Sequence, residues 1–278
     1  MIAIPHDNVW GIALGDVRVA ALQKLLNLLP EGIENHSERK IIEASITALS
    51  HLGLGADEEA AIKTAMLDQN RVVLDGSLPF IKEEIDKLNA LRVAVISLGC
   101  GDISLFERSI AQYCAQHIPN IAIEWLGVDI GDFRAPESFF NEHLFKVISL
   151  EAPLVYRTLI TKNIPTLLVG RYSFHHLGVS FDQFMERCKG LARVIVVEEP
   201  TTDEKWVQGE YRVMRIAFDV LGNYIFSKKW AAEFMQDPNK FKIKYLTLDE
   251  LPDRSNVITF KSMMPETATI SFEPTDVS

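Results

Sequence analysis

The stretch that decides the fold is RVAVISLGCGDIS, residues 92–104. After Arg92 the run consists of Val, Ala, Ile and Leu with a single Ser, which is typical of a strand buried on both faces of a sheet. Gly99 and Gly101 follow this run, and glycine lets a chain turn sharply and bring its backbone N–H groups close to a ligand. The sequence therefore predicts a buried strand that ends in a tight turn before a helix.

Further strand-length apolar runs alternate with helix-length amphipathic segments up to the C-terminal part of the chain. A parallel sheet that is covered by helices on both faces requires this alternation. Only residues 249–255 (DELPDRS) join the last two runs, which is too short for a parallel crossover, so an antiparallel pair is expected there. The predicted strands are residues 92–98, 121–128, 145–149, 165–170, 192–197, 242–248 and 256–261.

Residues 15–89 show a helical pattern instead. Asp16 is placed to cap a first helix with apolar positions at 19, 22, 25, 26 and 29. A second helix runs through residues 41–49, a third begins at the acidic residues 57–59, and a short fourth helix covers residues 80–88. We predict an α/β protein with a doubly wound, mostly parallel, seven-stranded Rossmann-like sheet in residues 91–278, preceded by an N-terminal helical cap or lid in residues 1–90.

The composition limits the classes of function. The chain has 278 residues, of which 47% are hydrophobic and 24% charged, with a formal net charge of −10. That charge disfavours a nucleic-acid partner, because affinity for nucleic acid depends on neutralising phosphates. The longest uncharged stretch, residues 109–123, is shorter than the roughly 20 apolar residues of a membrane span, and the first residues lack the basic start of a secretory signal. Three widely spaced cysteines and scattered histidines indicate no disulfide framework and no metal site, so we expect a cytoplasmic protein. Because no stretch is long enough to span a membrane, we expect no membrane partner.

An acidic residue follows the second predicted strand. Asp129 stands where a carboxylate accepts hydrogen bonds from the hydroxyl groups of a ribose. Glycines at a strand end are a weak signal, since many such glycines form plain turns, but together with Asp129 they favour a cofactor that contains a nucleoside. A dinucleotide site normally has a third glycine where this chain has Ser104. The pattern is therefore less typical of a dehydrogenase.

Four segments in this order and spacing resemble the class I S-adenosylmethionine (SAM)-dependent methyltransferases. They are RVAVISLGCGDIS (92–104), LGVDI (126–130), TLLVGRYSFHHL (166–177) and ARVIVVEEP (192–200). The resemblance covers about residues 91–261, leaves the N-terminal helices unexplained, and implies an enzyme with SAM as its cofactor. The chain departs from the family pattern at Ser97, where an acidic residue is common, and at Ile103, where a third glycine is common.

The resemblance also implies which residues hold SAM. Gly99, Cys100 and Gly101 would wrap its methionine portion. Asp129 would hold the ribose, and Ile130 would pack on the adenine.

Three further positions complete the cofactor set that the resemblance implies. Glu151, after the third predicted strand, would lie near the adenine amine. Gly170 and Arg171, together with Tyr172, would line the site near the sulfonium.

Methyl transfer is an in-line displacement at the sulfonium carbon, for which the protein aligns the reactants and excludes water. A hydroxyl or protonated amine acceptor benefits from a base, and His175 and His176 are the candidates by residue type. The alternative is that the two histidines pack at the start of the next helix, and a carboxylate acceptor would need no base. Tyr172 is either a wall of the pocket or a phenol that orients the acceptor. Two carboxylates, at 198 and 199, close the predicted strand, and one of them would face the active site. The alternative is that Glu199, which precedes a proline, only shapes the loop.

The substrate class follows from the apolar surface of residues 204–235, which is larger than one helical stripe buries. It faces the helical cap or a second chain, as in a homodimer, or it packs into the core. With the N-terminal helices it suggests a lidded, partly apolar pocket for a small organic molecule or short peptide, as in natural-product tailoring. The alternatives are a nucleotide-cofactor (NAD-type) oxidoreductase and a non-catalytic SAM-binding or interaction protein that keeps the fold.

Overall fold

The structure is a computed structural model that describes residues 2, 4, 16–99, 105–128, 164–202, 208–226, 228–247, 257–260 and 267–273. The chain divides into two compact units. The first comprises Met1–Val72, Thr201–Lys242 and Lys261–Thr267, and the second comprises Val73–Pro200, Ile243–Phe260 and Ala268–Ser278. The predicted division into residues 1–90 and 91–278 stays a prediction.

The first two helices of the first unit form as their apolar spacing predicts. Helix α1 (Val17–Asn27) begins at Asp16, whose side chain accepts a hydrogen bond from the Arg18 N–H at 2.8 Å. This is the capping role expected for an aspartate directly before a helix. Helix α2 (Glu38–Leu49) buries the predicted apolar positions between residues 41 and 49. Both predictions are confirmed.

The third helix is longer than predicted. Helix α3 (Ala56–Asp86) continues through Pro79, so the helix expected to begin at residues 57–59 and the short helix expected at 80–88 form one. An internal proline costs a helix roughly 3 kcal/mol, because it lacks an N–H donor and crowds the preceding turn. Complete burial of Ile62, Ile81 and Ile85 offsets this cost. The expected division into two helices is therefore wrong.

The apolar segment between residues 204 and 235 forms two helices, α6 (Gly209–Phe226) and α7 (Lys228–Gln236). All residues from 213 to 221 are buried, including the charged side chains of Arg215 and Asp219. Within the first unit, α6 packs against α1 and α2. The excess apolar surface of α6 is thus covered by helices of the same unit.

The second unit contains a mostly parallel sheet, which gives the protein an α/β fold. The strands are β1 (Arg92–Leu98), β2 (Ala122–Val128), β3 (Thr166–Arg171), β4 (Arg193–Thr202), β5 (Leu246–Thr247), β6 (Val257–Phe260) and β7 (Thr267–Phe272). Their order is β2-β1-β3-β4-β7-β6, and β5 pairs with β4 outside this path. The neighbours β2-β1, β1-β3 and β3-β4 pair in parallel. Helices α4 (Leu105–His117) and α5 (Phe181–Arg187) follow β1 and β3 along the chain.

The core of this sheet explains the predicted apolar runs. Val93, Val95, Leu167 and Ile195 are almost completely buried in one cluster, in which they pack with residues of α3 and α4. Alternate residues of β1, such as Ile96 and Leu98, are equally buried. Because both faces of the parallel strands are covered, the sequence shows continuous apolar runs rather than alternation.

The predicted pairing of the last strands is wrong in two respects. Of the described residues in the run at 242–248, Leu246–Thr247 form a strand, and this strand pairs with β4 rather than with β6. The neighbour of β6 is β7, which the sequence interpretation missed. In TATISF, residues 267–272, the large apolar residues are Ile270 and Phe272, so the segment lacks the continuous run that marks the other strands. The strand predicted at 145–149 lies outside the described residues.

No helix in the described part of the chain is long and apolar enough to cross a membrane.

Candidate functional site

The strand order places a topological switch point at the carboxyl end of β1. The strand that follows β1 in the chain, β2, lies on one side of it, and β3 lies on the other. In open α/β sheets, ligands bind at such a switch point, outside the carboxyl ends of the strands. In register, Leu98 at the end of β1 pairs with Val128 of β2 and with Gly170 of β3. The predicted site residues therefore follow strands that end side by side.

Gly99 is the first residue beyond β1, and its backbone has a φ of +66°. This left-handed conformation favours glycine, because other residues bring Cβ too close to the backbone. A Cβ atom on Gly99 would also lie 2.5 Å from the Cβ of Ser173, in the turn after β3. Gly99 is thus required by the packing of the protein itself, whatever ligand the turn holds.

The turn after β3 is tied to both neighbouring strands. Tyr172 has a φ of +46°, an unusual conformation for a residue with a side chain, and its N–H donates to the carbonyl of Val197 in β4 at 3.1 Å. The hydroxyl of Ser173 donates to the carbonyl of Leu98 in β1 at 3.0 Å. A 3₁₀ turn, Phe174–Leu177, follows. These bonds hold the turn at the carboxyl edge of the sheet, directly beside Gly99.

A buried carboxylate from β4 completes this arrangement. Oε1 of Glu199 accepts from the N–H groups of Ser173 and Phe174, both at 2.6 Å, and Oε2 accepts from the N–H of His175 at 3.3 Å. Burial raises the pKa of Glu199 to about 7, although the three N–H groups and the charge of His176 act in the opposite direction. Nδ1 of His175 lies 2.7 Å from Oε2.

The structure separates the two candidate histidines. The side chain of His175 is completely buried, while His176 and Tyr172 are half-buried. The His175 ring lies 5.1 Å from the Tyr172 ring and 4.0 Å from the His176 ring, measured between centroids. On another side, it stacks on Tyr245 at 5.6 Å. The turn therefore brings all three predicted catalytic residues together, but only Tyr172 and His176 are exposed in part.

The predicted cofactor residues are described in part. Gly99, Gly170 and the half-buried Arg171 lie at the ends of β1 and β3. The other five predicted residues lie outside the described part of the chain, namely Cys100, Gly101, Asp129, Ile130 and Glu151. Their assignment stays a prediction. Within the described ranges, no group of three His, Cys, Asp or Glu side chains is arranged to hold a metal ion.

Two residues of this site, Ser173 and Tyr245, were not predicted, and Glu199 was predicted only as one of two carboxylates that could face the active site or as a residue that shapes the loop. Glu199 left the clearest signal in the sequence, since a carboxylate in the apolar run that leads to Pro200 needs buried hydrogen-bond donors. Its donors come from a different strand connection, and the sequence alone does not show which segment provides them. Tyr245 directly precedes β5, and the N–H of its neighbour Lys244 donates to the carbonyl of His175 at 2.7 Å.

The chain is similar to several solved structures. The plantazolicin methyltransferase BpumL, in complex with a triazolic desmethylPZN analogue and SAH, is 11% identical, with 75% of this chain and 79% of that chain covered and a TM-score of 0.37. A protein from Methanococcus maripaludis is 14% identical over 78% of this chain and 94% of its own, with a TM-score of 0.34. One from Listeria monocytogenes is 10% identical over 98% and 86%, with a TM-score of 0.37. The Methanococcus and Listeria proteins are described as putative SAM-dependent methyltransferases.

SAH, which the plantazolicin methyltransferase structures contain, is the product that SAM leaves after methyl transfer. No protein-family model and no curated protein matches the chain.

Proposed function

We propose that the chain is a class I SAM-dependent methyltransferase that acts on a small organic molecule or a short peptide. The observation that carries the proposal is the meeting of two turns at the carboxyl edge of the sheet. Gly99, in its left-handed conformation, follows β1, and the turn of residues 172–176 packs against it from β3. In sheets of this kind, ligands bind at that edge.

The described residues of this edge fit a nucleoside cofactor with a reactive methyl group. The chain turns at Gly99 without a side chain of its own, and half-buried Tyr172 supplies an aromatic ring in the turn whose Ser173 packs against Gly99. When bound, SAM supplies an electrophilic methyl group. The chain's own contribution is to hold the acceptor in line with that group and to keep water away. Cys100, Gly101, Asp129, Ile130 and Glu151 complete the cofactor site in this proposal.

The acceptor side of the site is formed by Tyr172 and His176, because both are partly exposed at the same edge. His176 is the candidate base for a hydroxyl or amine acceptor, and Tyr172 is the candidate for orienting it. A carboxylate acceptor is already ionised at neutral pH and needs no base. Methyl transfer to a carboxylate would therefore tolerate the loss of His176.

The finer fold belongs to the same proposal. We take the sheet as a doubly wound, Rossmann-like sheet of seven strands, with the N-terminal helices as a cap. The strand order argues against the oxidoreductase alternative. In the dinucleotide-binding order 3-2-1-4-5-6, the strands on one side of the first strand follow one another in chain order, whereas here the last strand, β7, lies between β4 and β6, which precedes it in the chain. Ser104, in place of the third glycine, points in the same direction.

Calorimetric titration of the full chain with SAM, SAH and NAD tests this function. We expect SAM and SAH to bind with micromolar affinity and NAD to show no binding. Absence of SAM binding at ~1 mM would overturn the proposal, because a dissociation constant of that size corresponds to a binding free energy of only about −4 kcal/mol. Binding of NAD alone would favour the oxidoreductase.

If SAM binds, a screen with radiolabelled methyl-SAM over metabolite and peptide pools identifies the acceptor class. Label that appears in small organic molecules or short peptides supports the proposed substrate. Label that appears in no pool, although SAM binds, would favour a SAM-binding protein without methyltransferase activity.

A further inference from the structure

The Glu199 carboxylate is completely buried, and one short turn surrounds it with donors. Three of these donors are the backbone N–H groups of Ser173, Phe174 and His175. Backbone N–H groups only donate, so they require the carboxylate oxygens as acceptors and favour the ionised form. Facing an ionised carboxylate at 2.7 Å, Nδ1 of His175 must carry a proton and donate it. In the neutral ring, the basic nitrogen is then Nε2.

The His175 ring connects this buried carboxylate to the partly exposed side chains. It packs edge-on to Tyr172, with an angle of 83° between the ring planes, and it lies 4.0 Å from the His176 ring. Tyr245 stacks on it at an angle of 10°. A change in the orientation of the His175 ring would therefore move the two side chains that the proposed function places beside the acceptor.

We propose that Glu199 is a positioning residue, which acts through His175 to set the orientation of Tyr172 and His176 at the carboxyl edge. The role of these two side chains toward a methyl acceptor rests on the proposed function. The assignment of the His175 tautomer does not, because it follows from the contacts of Glu199 alone. Glu199 itself touches no part of the acceptor in this proposal.

Nitrogen-15 NMR of the histidine rings in the full chain tests the tautomer. The spectra are recorded at about pH 8.5, above the pKa of Glu199, where the carboxylate is ionised. The histidine signals that disappear from the spectrum of the H175Q variant are assigned to His175. We expect His175 to be protonated at Nδ1 in the wild-type chain. A ring protonated at Nε2 instead would overturn the proposal.

The E199Q variant then tests whether Glu199 sets this state. The carbonyl oxygen of a glutamine still accepts from Ser173 and Phe174, but its NH₂ group faces Nδ1 and forces the ring proton to Nε2. We expect the tautomer to switch and the His176 ring signals to shift. The matched control is E186Q, which changes an exposed carboxylate of α5 that pairs with Lys189. An E199Q spectrum like that of E186Q would overturn the proposal.

The H175N variant keeps the test independent of the folding of E199Q. An asparagine amide can still donate to Glu199, but the ring between Tyr172 and His176 is gone. We expect the His176 signals to shift as in E199Q, and unchanged signals would contradict a role of the ring.

Calorimetry with SAH separates the two proposals. E199Q and H175N should both bind SAH within about threefold of the wild-type affinity, because the backbone at Gly99 is retained. A wild-type chain that binds neither SAM nor SAH overturns the proposed function but leaves the tautomer result valid. With an identified acceptor, kcat should fall by about tenfold in both variants while the KM for SAM stays constant. An unchanged kcat in both would show that the turn is structural only.

Discussion

A Cβ atom added to Gly99 would lie 2.5 Å from the Cβ of Ser173, closer than two such atoms approach in folded proteins. The glycine after β1 and the serine after β3 are therefore fitted to each other. Gly99 combines two requirements, a left-handed backbone and the absence of a side chain. The second requirement belongs to the protein core rather than to a ligand, and the two can be measured separately.

The G99A variant violates both requirements, because alanine strains the left-handed backbone and its Cβ meets Ser173. We expect it to lower the free energy of unfolding by roughly 3 kcal/mol, from backbone strain and overpacking together. Gly32 is the matched control, since its φ is +75° and nothing lies within 4 Å of its added Cβ. G32A should cost only about 1 kcal/mol. Urea unfolding measures both variants, and equal losses would show that the Ser173 contact does not constrain position 99.

Removing the Ser173 side chain should in part rescue G99A, because the clashing atom is then absent. The double variant G99A/S173G should be less destabilised than the sum of its single variants by about 1 kcal/mol or more. S173G alone also loses the hydrogen bond to the carbonyl of Leu98. Additive losses in the double-mutant cycle would contradict a direct clash.

The raised pKa of Glu199 predicts a pH dependence of stability. An acid with an ordinary pKa of 4.5 and a folded pKa of about 7 binds its proton more tightly in the folded protein. Its contribution to the free energy of unfolding is therefore present at low pH and falls as pH rises from 4.5 to about 7. The total is about 3 kcal/mol. His175 contacts the carboxylate directly, the charge of His176 acts on it, and Tyr172 and Tyr245 pack against the His175 ring.

Because these neighbours titrate as well, the measured quantity is a difference between variants. We compare the free energy of unfolding of the wild-type chain with that of E199Q, each measured by urea unfolding at about pH 5 and about pH 8. The wild-type chain should lose more stability than E199Q between these conditions. Parallel pH profiles would mean that Glu199 keeps one protonation state over this range.

A second buried carboxylate, Glu84 of α3, should be sensitive to acid in the opposite sense. Burial opposes its ionisation, but hydrogen bonds from Lys87 and Ser271 and the charges of Lys87 and Arg193 lower its pKa overall. The contribution of Glu84 to the free energy of unfolding is therefore present above the pKa that the group has in the unfolded chain. It is lost as pH falls through the lower pKa that the group has in the folded protein. E84Q should destabilise the chain by roughly 2–4 kcal/mol near neutral pH.

Glu83, one residue earlier, provides the control for Glu84. It is largely exposed and also pairs with Lys87, at 3.2 Å. E83Q should change the free energy of unfolding by less than about 0.5 kcal/mol, as is usual for surface ion pairs. If both variants are equally stable, the contacts of Glu84 to β4 and β7 contribute nothing measurable.

The predicted ribose contact of Asp129 can be tested by SAM binding. D129N should weaken binding by about 10- to 100-fold, because hydrogen bonds to a charged acceptor contribute roughly 1.5–3 kcal/mol. D182N, at an exposed position in the first turn of α5, is the control and should bind SAM normally. Calorimetry measures both, and equal affinities would remove Asp129 from the cofactor site.

His176 should matter for turnover rather than for cofactor affinity. With a hydroxyl or amine acceptor, H176Q should lower kcat by roughly 10²- to 10⁴-fold, as expected for the loss of a general base. The affinity for SAM should stay unchanged, because the candidate base acts on the acceptor. An unaltered kcat would indicate a carboxylate acceptor or a packing role for His176.

The amino-acid sequence by itself determined the elements that depend on local patterns. The spacing of Leu22, Leu25 and Leu26 after Asp16 is sufficient for α1, and the apolar runs are sufficient for β1, β3 and β4. Local patterns failed where a tertiary contact outweighed them. Pro79 stays within a helix because its neighbours are buried, and β7 forms beside β4 without an apolar run of its own.

The candidate site divides in the same way. Its residue types could be read from the sequence, because glycines and histidines at strand ends suggest a ligand site. Only the tertiary structure decided that His175 is buried against Glu199 while His176 is half-buried, and that Gly99 is packed against Ser173. These relationships depend on the parallel register that brings the ends of β1, β3 and β4 together. Sequence periodicity shows which face of a strand is buried, but it does not show which strands are neighbours.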